Sequence, residues 1–206
     1  MKRKRFNSRK WSLMVSLVVL LAISIGWAGD VGAAEESKNS QATVTIQAGG
    51  TAENGGLYFS KIPNAVDFGT INLNGIGSTQ YGNLTQLSVT DARGTGTGWI
   101  VQVSANQLTN TNNETFPYGS LKINAPDSFT PGYAPASNSP VASISKDTSI
   151  DNVGGVPVPI FRADNNAGLG LWNIDWPSQS IRLDVPGNVK IGTYTSTITW
   201  VLVATP

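Results

Sequence analysis

The sequence predicts an all-β fold, an antiparallel β-sandwich or a barrel-like closure of one, formed by a single domain with long polar loops. Apolar residues alternate with polar ones over short runs, the period of a half-buried strand, and no stretch after residue 34 carries the 3.6-residue period of an amphipathic helix. Gly, Asn, Pro and Thr interrupt these runs every ten or so residues, as in folds built from many short strands. The 206 residues contain no cysteine, so packing rather than disulfides must hold the sheets together.

The first 34 residues stand apart. "MKRKRFNSRK" holds six of the chain's 14 Lys and Arg, Trp11 to Trp27 follows without a charge, and "DVGAAEES" supplies small residues at signal-peptidase spacing. Residues 1–34 therefore read as a secretory signal peptide, with an uncleaved membrane anchor as the alternative. Cleavage would leave 172 residues with 8 basic and 12 acidic side chains, a net charge of −4. That charge provides no footprint for nucleic acid, and no membrane contact is expected once the signal is removed.

Residues 35–41 are a polar lead-in to the domain assigned to 35–206. The expected strands are "ATVTIQA", "GLYFSKI", "VDFGTI", "QLSVTDA", "GWIVQVS", "SLKINAP", "PVASISK", "VPVPIFRA", "GLWNIDW", "SIRLDVP" and "TYTSTITWVLVA". The two prolines of "VPVPIF" place it at an edge or in an extended connection. "NLNGIGSTQYGN", "NQLTNTNNETF" and "DSFTPGYAPASNSP" are surface loops. In the last strand, Ile198 to Val203 is apolar on both faces, which predicts that the strand is paired on both edges and its end enclosed by protein, either its own sandwich or a partner.

Catalytic chemistry finds little support. With no histidine, hydrolase triads and zinc sites built on that side chain are excluded. Asp164, Asp175 and Asp184 could in principle supply a glycosidase pair, but nothing in the sequence fixes their separation. "DARGTGTGW" lacks the Lys-Ser/Thr ending of a phosphate loop, so Asp91 and Arg93 read as a local pair. "RADNNAGLG" has too few carboxylates for a calcium loop and reads as a turn. No cofactor and no metal are expected. Trp99 and Trp200, each followed by alternate aliphatics, read as core, with a stacking platform for sugar rings as the alternative. Trp172 and Trp176 lie beside turn residues and are the candidates for exposed aromatic contacts.

The final strand carries the most specific pattern. "YTSTITWVLVATP" resembles the C-terminal signature of the WxL-domain family, through Tyr194, Thr199, Trp200, Leu202 and Pro206. "IPNAVDFGTI", "LSVTDARGTGTGWIVQV" and "SIRLDVPGNVKIGTYTSTITW" are similar to the same family in the same order, covering essentially the whole chain after the signal. An earlier Trp-x-Leu, frequent in the family, is represented by Trp99-Ile100-Val101, with Val in place of Leu. The resemblance implies a secreted, non-enzymatic surface protein of low-GC Gram-positive bacteria. It implies non-covalent attachment to the cell wall through the C-terminal domain, with peptidoglycan as ligand and companion surface proteins as further partners. It also implies that the motif residues, Trp99 included, belong to the wall-binding element. Two other classes stay open: an assembly subunit that binds partner surface proteins by β-augmentation, and a secreted glycan-active enzyme.

Overall fold

The computed structural model describes residues 44–47, 55–134 and 136–205. The expected signal peptide and Pro206 lie outside the described residues. Among the described residues the fold is all-β, with a single 3-10 turn at Val153–Gly155. Twelve strands run in chain order: β1 Leu57–Lys61, β2 Ser78–Gly82, β3 Leu87–Asp91, β4 Trp99–Ala105, β5 Leu121–Ile123, β6 Ser128–Pro131, β7 Val141–Ala142, β8 Thr148–Ser149, β9 Val158–Ala163, β10 Gly170–Asp175, β11 Ile181–Val185 and β12 Ile198–Ala204.

They form three four-stranded sheets in the orders β1-β3-β10-β6, β2-β11-β5-β8 and β12-β4-β9-β7, antiparallel throughout. The arrangement is a sandwich, not a closed barrel. Alternation decides which side chains enter the core. In β4, Trp99, Val101, Val103 and Ala105 are buried while the residues between them are half-exposed. β11 repeats the pattern with Ile181, Leu183 and Val185. Leu87 and Val89 of β3, Trp172 and Ile174 of β10, and Phe161 of β9 complete one contiguous core.

The structure departs from the sequence expectations at several elements. "VDFGTI" is not a strand. Asp67 accepts the Gly69 N–H at 2.8 Å and Asn74 accepts the Ile76 N–H at 3.0 Å, and these side-chain turns replace ladder bonds. Val66 and Phe68 from this irregular stretch instead pack over β2 at Gly82, where a side-chain methyl would strike Val66. Within "ATVTIQA", Val44–Gln47 form no strand and are exposed. β9, with Pro159, is central rather than an edge. Its partner β7 is only two residues long and pairs with Phe161 and Arg162, so Pro159 meets no strand on that side. On the other side Pro159 sits at a register shift opposite Gln102, where a missing donor is tolerated.

β12 is the largest correction. Among the described residues it pairs with β4 alone; β1 of the facing sheet approaches it, but its outer edge has no ladder partner. Enclosure of both edges by the described residues of its own sandwich does not hold: Ile198, Trp200, Val201 and Leu202 are half-buried and Val203 and Ala204 are exposed.

Candidate functional site

Two features gather the motif residues: an aromatic chain between the sheets and a groove at the entry to β12. In an antiparallel pair, directly opposed residues share a face. Trp200 stands opposite Val103 and Leu202 opposite Val101, so the Trp-x-Leu side chains point inward with the buried residues of β4. Thr199, opposite Ser104, lies on the outward face and is exposed. Trp99, opposite Ala204, is on the same inward face as Trp200 but four residues away along the ladder.

Aromatic rings bridge that separation. Trp99 meets Phe161 edge-on at 6.1 Å, Phe161 meets Trp176 at 6.4 Å, and Trp176 meets Trp200 at 5.8 Å, all within the range of favourable T-shaped contacts. Phe129 joins from β6 at 5.8 Å from Phe161. Trp99 is fully buried, and its indole N–H donates to the Gly168 carbonyl at 3.1 Å. Trp176 is half-buried, and its Nε1 has no hydrogen-bond partner among the described residues. Trp172 does not offer the exposed contact expected of it. It is 2 % exposed, because its position on β10 alternates inward with Ile174, and its N–H donates to the Leu169 carbonyl at 3.0 Å.

Tyr194 lies apart from this chain, four residues before β12. Its ring packs on Phe116 at 4.6 Å and its hydroxyl donates to the Lys190 carbonyl at 3.1 Å, bonding back to the chain upstream as the tyrosine corner of β-sandwiches does. Thr109 and Thr195 exchange backbone bonds at 3.0 Å and tie the 107–117 loop to the approach of β12. Between them opens a groove of about 440 Å³ whose lining includes Tyr194, Phe116, Gln107, Glu114, Asn188 and Lys190. Lys190 Nζ pairs with Glu114 at 2.6 Å, and Asn110 Nδ2 donates to the other carboxylate oxygen at 3.1 Å. The Lys190 and Asn110 bonds hold the Glu114 carboxyl below its ordinary pKa, and Glu114 in turn raises that of Lys190. The groove thus presents aromatic surface beside amide, carboxylate and ammonium groups. Of the motif residues, Tyr194 alone lines it. Nothing in the sequence but Tyr194 marked this place, because "NQLTNTNNETF" carries only the composition of a surface loop.

The other acidic candidates are held by local partners. Asp184 on β11 accepts from Arg182 and Lys122 at 2.8 Å, and Arg182 also reaches Asp147 at 2.9 Å. Arg182 first, opposed by desolvation, and then Lys122 and Thr79 hold the Asp184 carboxyl down to about 2. Asp175 accepts from Gln86 at 3.1 Å, and Asp164 pairs with Arg162 at 2.8 Å on the surface. Asp91, buried, is paired with Arg93 at 2.8 Å as expected, and Arg93 also donates to the Gly98 carbonyl at 2.6 Å. "RADNNAGLG" forms the turn read from it, with the Ala167 N–H bonded to the Asp164 carbonyl at 2.9 Å and Asn166 at a φ of 61°.

The family described as "WxL domain surface cell wall-binding" matches residues 37–206. The chain belongs to the WxL-domain family. No curated protein and no solved structure matches it. The WxL domain is a surface cell wall-binding domain, and binding to the cell wall is therefore the activity its geometry has to perform. The WxL tryptophan pair here is one sealed residue, Trp99, and one half-buried residue, Trp200.

Proposed function

We propose that this WxL protein is exported by a Gram-positive bacterium and attaches non-covalently to the cell wall, with peptidoglycan as ligand and without enzymatic activity. The family match over residues 37–206 carries the wall-binding part of this reading. The Tyr194 groove is the surface that makes the glycan contact. Sugar rings pack their C–H faces on aromatic rings and exchange hydrogen bonds with amides and carboxylates, and the groove offers both kinds of partner side by side. Trp99 and Trp172 cannot stack on a sugar while sealed in the core, so their role is to hold the sheets that present the groove. Companion surface proteins, implied by the family resemblance, are further partners.

Co-sedimentation with purified peptidoglycan tests this reading. The parent chain should pellet with the glycan, and Asn188→Ala with Lys190→Ala should weaken pelleting severalfold at an unchanged melting temperature. Full retention by the double variant would remove the groove from the account. Failure of the parent to pellet would remove peptidoglycan.

A further inference from the structure

The free edge of β12 carries a message separate from wall binding. Thr197 accepts the Asn106 N–H at 3.0 Å and Thr205 donates to the Gly98 carbonyl at 3.3 Å. These bonds fix the phase of the ladder, because hydrogen-bonded and non-bonded pairs alternate along antiparallel strands. Odd-numbered residues of β12 bond to β4. Even-numbered residues, Ile198, Trp200, Leu202 and Ala204, turn their N–H and C=O groups to the open edge. Ala105, opposite Ile198, agrees: its N–H leaves β12 and donates to the Ile150 carbonyl at 2.8 Å. Natural edges are usually blunted by a charge, a proline or a bulge. β12 has none of these, is seven residues long, and no charged residue occurs between Lys190 and Pro206.

We propose that β12 pairs antiparallel with β12 of a second copy about a two-fold axis at Val201, joining two β12-β4-β9-β7 sheets into one. That register uses the whole strand. It sets Trp200 opposite Leu202 of the second copy, Ile198 opposite Ala204, Thr199 opposite Val203, and Val201 opposite itself. The even-numbered residues, which carry the open-edge N–H and C=O groups, then fall in hydrogen-bonded pairs, and Val201 falls at a non-bonded pair, as the alternation requires. Both faces match as well. Trp200 and Leu202, half-buried in one copy, complete each other on the inward face, while the outward face brings together Val201 and the Thr199–Val203 pairs with no like charges opposed. Sliding the register by two residues would leave strand ends unpaired. The Trp-x-Leu spacing is thus self-complementary about its middle residue, as an isologous contact demands. Such a dimer goes beyond wall attachment by a single domain, since it gives each particle two wall-binding surfaces and the avidity of linked sites.

The sequence has no cysteine, so a single introduced thiol reports the register. In the mature chain, Val201→Cys should oxidise to a covalent dimer, because the two residues face each other at about 4.5 Å between Cα atoms. Val203→Cys should stay monomeric on a non-reducing gel, because its copies lie about 14 Å apart along the ladder. Sedimentation should show a concentration-dependent dimer for the parent, and Val201→Lys should abolish it while melting as a folded protein. Val203→Lys, carrying the same charge on the same face, should still dimerise. Equal cross-linking at both positions would overturn the proposal, as would a parent that stays monomeric throughout. A monomer whose Trp200 and Leu202 amides resist hydrogen exchange would assign the edge to another segment of this chain and overturn it equally.

Discussion

Trp99 and Trp200 belong to the same inward face of one sheet, yet they stand in different surroundings, and substitutions should separate them. Trp99 fills a fully enclosed site and donates to the Gly168 carbonyl. Trp99→Ala should cost about 3–5 kcal/mol, combining a cavity with an orphaned acceptor. Trp200 is half-buried, and Trp200→Ala should cost about 1–3 kcal/mol. Denaturant unfolding at an unchanged m-value would show the difference as a shift in midpoint, and equal shifts would contradict it. Gly168 supports the same site from behind. Its φ is 70°, and a methyl group would collide with Ala163 and approach the Trp99 ring nitrogen at 2.7 Å, so Gly168→Ala should also destabilise the fold. Its cost should exceed about 1 kcal/mol in the same unfolding assay. The inward phase of Trp99 was legible because Val101 and Val103 continue its alternation. The burial of Trp172 was not, because turn residues beside it suggested exposure while its own strand phase, shared with Ile174, pointed inward.

At the scale of elements, alternation identified β4 and β11, whose inward and outward sets are both well defined, and also β3 and β10, although Ser88 of β3 is buried with its neighbours and Leu171 of β10 is exposed. It could not identify β2, β6 or β8. Their pairing depends on distant partners: β2 and β5 flank β11, and β8 adds two residues beyond β5. The same limit applies to β12, since a two-sided apolar sequence does not say whether the second edge is covered within its own chain. On the β2-β11-β5-β8 sheet, Asp184 bridges β11 to Lys122 of β5, and Thr79 of β2 donates to it at 3.1 Å. Its folded-state pKa of about 2 lies below the ordinary value of 3.8. A lowered carboxyl pKa stabilises the fold above the unfolded value, and that contribution fades as pH falls from near 4 through 2. Asp184→Asn should therefore lower stability at neutral pH, by no more than about 1 kcal/mol because the pair is partly solvated. The deficit should vanish as pH approaches 2, which thermal melts across an acid series would reveal. A deficit that persists unchanged at that pH would mean the loss is one of packing.

On the proposed reading, the exported chain faces the wall with the wrong sign for long-range attraction. Removal of residues 1–34, as proposed, would leave a net charge of −4 against the anionic polymers of a Gram-positive wall. On that reading, contact rests on short-range forces from the aromatic and hydrogen-bonding groups of the Tyr194 groove, with net electrostatics opposing approach. Salt shortens the reach of that opposition, to about 3 Å at 1 M, so attachment should hold or strengthen as salt rises. Mild acidification should act in the same direction as surface carboxylates lose their charge. The β class and the family signature were both legible along the chain. The groove was not, because it forms only where the 107–117 loop meets the residues leading into β12, and no local pattern records that meeting. Co-sedimentation of the mature chain with purified cell walls, titrated from low to high salt, tests the central claim most directly. Binding that is retained or strengthened across the titration is the predicted result. Absence of binding at every salt concentration, or steep release as salt rises, would contradict it.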